Sequence, residues 1–232
     1  MSQPQAGFLT PFITSGPFAL GIIILLFIMS VVSWAIFFSK SRQFRQATRQ
    51  TRRFLEVFRI RYRFQDYQEL THLFPASPLT ALLIAAVKEW DSLQKECDKE
   101  TLTQLVPNIT EAMERASSRA IERLESSLSF LAITTMVAPF LGLLGTVQGV
   151  LRTFLSLRGA QLPTLQLIAP GISDALVTTV MGLLVAIPAA LFYNYFVGRV
   201  HNLQSEMERF ISELTGIFRR EAITSETRSS IL

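Results

Sequence analysis

Three long stretches without a charged residue constrain this chain more than any other feature. Of its 232 residues, none is charged from Met1 to Ser39, from Ser126 to Leu151 or from Ala175 to Gly198. Each stretch exceeds the roughly 20 residues that a helix needs to cross a bilayer. A chain of this length would otherwise suggest one or two soluble domains. The pattern instead predicts an all-α integral membrane protein with three transmembrane helices, of which the second and third extend into long cytoplasmic helices.

Lys and Arg residues predict the orientation of these helices. Fifteen of the 22 basic residues lie between Lys40 and Arg123, whereas two, Arg152 and Arg158, lie between the second and third apolar stretches. By the positive-inside rule, the amino terminus and the second connection lie outside, and the large loop and the tail are cytoplasmic. We interpret the net charge of +4 as this topology signal rather than as a nucleic-acid surface, because the basic run adjoins a membrane end.

The same rules divide the chain into segments. The first stretch lacks the basic flank and the small-residue cleavage site of a secretory signal, so we expect it to stay in the mature protein. The segments comprise an outer N-terminus, the first span, a cytoplasmic helical domain, the second span, an outer loop, the third span and a cytoplasmic C-terminal helix. In that order they are predicted at 1–16, 17–39, 40–126, 127–151, 152–171, 172–198 and 199–232.

The chain lacks the residue patterns of common catalytic and metal sites. Cys97 is the single cysteine, and the two histidines, His72 and His201, lie far apart without an HExxH motif. No GxxxxGK[ST] phosphate loop, GxGxxG fingerprint or GxSxG elbow occurs. We therefore expect that the protein is not an enzyme and binds neither a metal nor a cofactor, so any work that it does must use another energy source.

Apolar residues recur at helical spacing in the cytoplasmic segments. From Ile109 to Leu128 they return every three or four residues, and no Gly or Pro interrupts 108–138, which predicts one helix of about 40 residues containing the second span. From Val200 to Ile217 they follow a heptad rhythm, which fits an intramolecular bundle or a subunit interface. The short piece from Leu79 to Val87 fits docking on that bundle or lying at the lipid interface.

Small and polar residues form one stripe on each of the last two spans. Projected at about 100° per residue, the stripe of the second span contains Ala138, Gly142, Gly145, Thr146, Gly149 and Thr153. That of the third contains Asp174, Thr178, Gly182, Ala186, Ala189 and Tyr193, with Thr179 at its margin. Facing stripes of this kind favour close helix contact in lipid, and several copies in a ring would line a lumen. For a single Thr, a packing residue bonded to its own helix is an equally good interpretation.

Two sequence blocks carry a family resemblance. APFLGLLGTVQGV at 138–150 and APGISDALVTTVMGLLVAIPAALFYN at 169–194 resemble the signature of the bacterial TolQ, ExbB and MotA proton-channel proteins. The resemblance implies a bacterial inner-membrane protein with a periplasmic amino terminus. It also implies a pentamer around a pair of single-span helices from a TolR- or ExbD-type partner, with a TolA- or TonB-type protein as a further partner. The partner's membrane aspartate would bind the travelling proton, and Na⁺ as the coupling ion is left open.

The resemblance assigns roles to particular residues. It places Thr146 and Thr179 on the pore wall, beside the partner's aspartate. Asp174 falls where the family usually carries Glu, which keeps the charge and shortens the reach, so we expect Asp174 to shape the field at the outer mouth. Gln148 replaces a frequent Trp, and Val180 replaces the usual Ala, a change that we interpret as packing.

Glycines and prolines of the two spans are assigned to helix packing and bending. Gly lets helix backbones approach in lipid, and Pro within a membrane helix bends it or frees a carbonyl. The residues so assigned are Pro139, Gly142, Gly145, Gly149, Gly182 and Pro188.

Two further stretches favour one branch of the family. SWAIFFSKSR at 33–42 and MERFISELTGIFRRE at 207–221 resemble TolQ more than ExbB. The resemblance thus implies a motor that converts proton motive force into mechanical work on periplasmic or outer-membrane partners and supports envelope integrity. An ExbB-type subunit that energises TonB-dependent uptake and a gliding-motor relative are the alternatives. A non-conducting membrane scaffold is the alternative from another class.

Overall fold

The structure, a computed structural model, describes residues 17–61, 71–96, 102–157 and 165–229, and five long α-helices contain most of them. The helices are α1 (Pro17–Arg61), α2 (Pro78–Glu96), α3 (Leu102–Glu125), α4 (Leu128–Ser156) and α5 (Leu165–Ser229). No strand occurs among the described residues, which confirms the all-α prediction. As predicted, three helices are long and apolar enough to cross a membrane, namely α1, α4 and α5. The predicted 1–16 segment, Cys97 and the centre of the 152–171 loop lie outside the described residues.

The chain divides into two compact units. One, here called the span unit, contains the residues up to Phe38 together with Ser127–Tyr195. The other, here called the bundle unit, contains Ser39–Ser126 together with the residues from Phe196 onward. Both α1 and α5 contribute residues to both units, because each continues without interruption from an apolar stretch into a polar one.

The span unit has a small core and an apolar surface. Its core cluster of buried apolar residues comes from all three of its helices: Ile22, Leu26, Met29, Ala138, Val185 and Ala186. Large side chains such as Phe140, which is 69% exposed, point away from that core. Apolar patches of this extent on soluble monomers are rare, so the surface suits lipid or other protein chains.

The bundle unit buries a larger core with many aromatic side chains. Phe54 and Phe58 of α1 contact Phe210 of α5, with ring centroids 5.4 and 5.0 Å apart, respectively. The residues from Leu79 to Val87 dock against this core, which decides between the two alternatives left open by the sequence. The heptad residues from Val200 to Leu214 are buried within the same unit, so they form an intramolecular bundle stripe.

The predicted unbroken helix across 108–138 is wrong. Helix α3 ends at Glu125 and α4 begins at Leu128. Ser127 adopts a left-handed conformation, with φ 72° and ψ −11°, and it is the one non-glycine residue with positive φ among those described. A left-handed residue ends an α-helix because its carbonyl leaves the helical direction, and serine is an uncommon choice there.

A lysine from another helix stabilises this break. The Nζ of Lys40, which is almost fully buried, donates to the carbonyl of Leu124 at 2.9 Å and to that of Arg123 at 3.3 Å. It also contacts the hydroxyl of Ser126 at 3.2 Å. The last carbonyls of a helix have no partner within the helix, and a cation there is also favoured by the helix dipole. Lys40 therefore supplies the donors that the C-terminus of α3 lacks.

Candidate functional site

Helices α4 and α5 approach each other backbone to backbone. A Cβ added to Gly142 would lie 2.9 Å from the carbonyl oxygen of Thr178 and 3.0 Å from the Cα of Thr179. One added to Gly182 would lie 2.6 Å from the carbonyl oxygen of Ala138. Distances below about 3 Å leave no room for a methyl group, so the two helices could not keep this separation with alanine at either position.

The contact continues along α4. A Cβ on Gly149 would lie 2.6 Å from the Cβ of Ala175, and one on Gly145 would overlap the hydroxyl of Thr178. The four glycines that the sequence stripes assigned to packing thus all lie on the surface where α4 and α5 meet. Glycine is needed at these positions for space rather than for an unusual φ, because none of the described glycines has a positive φ.

The two threonines assigned to the pore wall lie side by side in the structure. Their hydroxyl oxygens, one on α4 and one on α5, are 3.4 Å apart, with Thr179 as donor and Thr146 as acceptor. Thr146 donates its own proton to the carbonyl of Leu143 at 2.7 Å. Thr179 also contacts the carbonyl of Gly142 at 3.2 Å. Both side chains remain partly exposed, so a group outside this chain can reach them.

Thr178, which the sequence pattern placed on the stripe of the third span, is a further polar residue of this contact. Its hydroxyl is fully buried and can donate to the carbonyl of Ala175 at 2.7 Å or to that of Gly142 at 3.2 Å. The adjacent pair Thr178–Thr179 was visible in the sequence, but the shared carbonyl depends on how α4 and α5 align. That alignment is a property of the folded structure.

Asp174 lies apart from the threonine pair. It precedes Thr179 by five residues on α5, about 7.5 Å along the helix axis at 1.5 Å per residue. Its side chain is partly buried. The position agrees with a place nearer one end of the span, whereas its role at an outer mouth stays a prediction.

The two prolines lie inside continuous helices. Pro139 is within α4 and Pro188 is within α5. Proline has no N–H, so the carbonyls of Thr135 and Leu184, four residues earlier, lack their usual helical donor. The bending of these helices at the prolines stays a prediction. Val180, assigned to packing, is 53% exposed and has little to pack against within this chain.

The electrostatics of the site are simple. Among the described residues of the span unit, Arg152 and Asp174 carry the only charges. No group of three or more His, Cys, Asp or Glu residues in the described ranges is placed to hold a metal ion. Hydroxyls that can both donate and accept are therefore what the Thr146–Thr179 pair offers. Such a pair can bind a carboxylate as donor and a protonated carboxyl as acceptor.

Comparisons with known proteins agree with this architecture. A sequence model described as the MotA/TolQ/ExbB proton channel family matches residues 78–209, which include α4 and the threonine pair. The Tol-Pal system protein TolQ of Haemophilus influenzae is 34% identical over 209 residues, covering 87% of this chain and 89% of that protein. TolQ of Pseudomonas aeruginosa is 33% identical over 205 residues, covering 85% and 86%, respectively.

A second group of relatives carries another name. The biopolymer transport protein ExbB of Salmonella typhimurium is 34% identical over 184 residues, covering 78% of this chain and 74% of that protein. The family match covers more than half of the chain, and the TolQ and ExbB relatives agree with it. This membrane protein therefore belongs to the MotA/TolQ/ExbB proton channel family.

Proposed function

We propose that this chain is the channel-wall subunit of a TolQ–TolR-type motor in the bacterial inner membrane. It would convert proton motive force into mechanical work on periplasmic or outer-membrane partners and so support envelope integrity. The observation that carries the proposal is the Thr146–Thr179 pair, two partly exposed hydroxyls 3.4 Å apart across the α4–α5 contact. Asp174, which carries the one carboxyl group among the described residues of the span unit, lies about 7.5 Å from Thr179 along the axis of α5.

The chemistry of the pair suits a carboxyl group that changes its charge. An ionised carboxylate accepts hydrogen bonds, whereas a protonated one also donates. Protonation removes the charge, so the helix that carries the carboxyl can leave the hydroxyl site and face an apolar one. Each charge that crosses supplies about 2.3 kcal/mol per 100 mV of membrane potential. Repeated around a ring of subunits, this exchange turns proton passage into rotation.

The surroundings of the pair support an assembly of several copies. Leu143, one turn before Thr146 on α4, is 53% exposed, and Leu183, one turn after Thr179 on α5, is 45% exposed. A threonine pair bordered by exposed apolar side chains needs further chains to enclose it, because a conducting path must be separated from lipid. We propose a pentamer of this subunit around a pair of single-span TolR- or ExbD-type helices, each with a membrane aspartate. Protons are the proposed coupling ion.

Sequence supports the proposed branch and the proposed orientation. The TolQ proteins of two organisms align with most of this chain and most of their own length, which favours a Tol-Pal role. ExbB of Salmonella typhimurium is equally identical over a shorter alignment, so an ExbB-type role in uptake is the second candidate. The basic residues of the bundle unit favour a cytoplasmic place for it and a periplasmic amino terminus. A protein of this kind needs no enzyme activity and no cofactor.

Carbodiimide labelling tests the proposal directly. The complex is purified from membranes of the source organism, treated with dicyclohexylcarbodiimide, which attacks protonated carboxyls in apolar surroundings, and mapped by mass spectrometry as a function of pH. We expect labelling of a membrane Asp on a small co-purifying chain. Thr146→Ala and Thr179→Ala should each abolish envelope integrity in detergent-sensitivity tests while the complex still assembles.

Matched variants and outcomes sharpen this test. Thr153→Ala removes a buried hydroxyl that bonds to its own helix at 2.9 Å, and it should keep envelope integrity. Full activity of assembled Thr146→Ala and Thr179→Ala complexes would favour the non-conducting scaffold. If added Na⁺ protects the carboxyl from labelling and raised pH does not, the coupling ion is sodium and not the proton. Loss of siderophore uptake without detergent sensitivity would favour the ExbB-type role.

A further inference from the structure

Three donors compete for the carbonyl oxygen of Gly142. As part of α4 this oxygen accepts the helical hydrogen bond from the N–H of Thr146, four residues later. From α5 the hydroxyls of Thr178 and Thr179 both approach it at 3.2 Å. A carbonyl oxygen has two lone pairs. Once the helical bond is made, one lone pair remains for two hydroxyls.

The hydroxyls of Thr178 and Thr179 differ in the other acceptors that each can reach. A hydroxyl carries a single proton and can make one full-strength donated bond at a time. Thr178 has a short alternative, the carbonyl of Ala175 at 2.7 Å. Thr179 has a long one, the hydroxyl of Thr146 at 3.4 Å. The hydroxyl of Thr179 thus has two alternative acceptors, neither closer than 3.2 Å, whereas Thr135, Thr146 and Thr153 each have an acceptor within 2.9 Å.

The side chain of Thr178 is fixed in place and that of Thr179 is not. Thr178 has no exposed surface, and its hydroxyl occupies the space that a Cβ on Gly145 would need. The Thr178 hydroxyl can therefore only redirect its proton between the carbonyls of Ala175 and Gly142. Thr179 is partly exposed, so its hydroxyl can turn outward.

We propose that Thr178 is a positioning residue that makes the hydroxyl of Thr179 available to an acidic group. When Thr179 turns to donate to a carboxylate, Thr178 redirects its proton to the carbonyl of Gly142, so the second lone pair of that oxygen keeps a donor beside the helical one. When the carboxyl is protonated and leaves, the two threonines return to their former bonds. This inference rests on the proposed function, in which the carboxylate belongs to a partner chain.

The arrangement has a consequence for the pKa of that carboxyl. A hydrogen bond donated to the ionised form lowers a carboxyl pKa. Without the hydroxyl of Thr178, the second lone pair of the Gly142 carbonyl is free to accept the proton of Thr179. Thr179 then donates less to the carboxylate, so the ionised form is stabilised less and the pKa of the carboxyl rises. In the described span unit the other charged groups are Asp174, one turn before Thr178 on α5, and Arg152 on α4. The 17–38 part of α1 contributes none.

The pH midpoint of carbodiimide labelling measures this effect in the intact complex. Labelling falls as the partner's carboxyl ionises, so its midpoint reports the pKa. We expect Thr179→Ala to raise the midpoint by about 1 unit and Thr178→Ala by about 0.5 unit, fractions of a charge-assisted hydrogen bond. Thr178→Ser keeps the hydroxyl and should keep the midpoint. Thr153→Ala is the control for losing a buried threonine hydroxyl, and its midpoint should not move.

The outcomes separate this inference from the proposed function. A shift with Thr179→Ala and none with Thr178→Ala would overturn the role of Thr178 and leave the proposed function standing. Labelling confined to Asp174, or no shift with either variant, would overturn both. Thr178→Val, which refills the space left by alanine, is measured in parallel. If neither Thr178→Ala nor Thr178→Val assembles, the hydroxyl holds α4 and α5 together and the positioning role is wrong.

Discussion

The interiors of the two units of this protein are packed in opposite ways. In the span unit, α4 and α5 touch through glycines and hydroxyls, and large side chains such as Phe140 point outward. In the bundle unit, large side chains such as Phe54 and Phe210 fill the interior and are almost fully buried. The hydrophobic effect buries apolar side chains only in a domain that is surrounded by water, and a lipid-facing surface has no such driving force. The span unit must instead gain stability from close backbone contact, which makes it sensitive to single added atoms.

The largest expected effect is on the bundle core. Phe210→Ala should lower the free energy of unfolding by about 4 kcal/mol, because it leaves a cavity among several aromatic rings. Thermal unfolding of the purified protein in detergent measures this loss. Phe140→Ala in the span unit is the matched control and should change it by less than about 1 kcal/mol, since that ring is exposed. Equal effects of the two variants would contradict the contrast between the units.

Added volume should affect the span unit more than removed volume. Gly182→Ala places a methyl group against the backbone of α4 and should cost about 2–3 kcal/mol. Gly21→Ala is its control, because a Cβ there meets nothing within 4 Å within this chain. We expect Gly21→Ala to be neutral or slightly stabilising in the isolated subunit, since alanine has the higher helix propensity. Detergent-resistant folded yield compares the two.

The lysine cap of α3 should give a smaller, local effect. Lys40→Met keeps the length of the apolar stem and removes the donors to Leu124, Arg123 and Ser126. We expect a loss of about 1–2 kcal/mol and faster amide hydrogen exchange in the last turn of α3. Lys88→Met, at an exposed position of α2, should change neither quantity. Unchanged exchange in Lys40→Met would show that the break holds without the cap.

The smallest expected effect is at Thr134 in the span unit. Its hydroxyl is buried and finds no hydrogen-bond partner among the described residues. Thr134→Val removes that hydroxyl while keeping the shape, so stability should stay the same or rise by about 1 kcal/mol. Thr178→Val, at an equally buried threonine with two acceptors, should instead lose stability in the same unfolding assay.

Sequence patterns predicted the features of this molecule that depend on neighbours along the chain. The apolar spans, the glycine stripe of α4 and the amphipathic face of α3 all follow from periodicity. The helix break at Ser127 does not, because the donor that stabilises it is Lys40, 83 residues before Arg123. The shared carbonyl of Gly142 likewise depends on a residue 36 positions away. Periodicity assigns residues to a face, and only the folded structure shows which residue lies opposite.

The contact at Gly182 also limits how the gene can change. Every missense mutation of that codon adds at least one side-chain carbon, and the nearest backbone atom is 2.6 Å from where that carbon would be. Substitutions at this codon that keep the helix contact are therefore confined to synonymous ones, unless a second mutation moves α4. At Gly21, where the same carbon meets nothing, missense alleles such as alanine remain open. Two glycines in one unit thus differ in the number of alleles that each can carry.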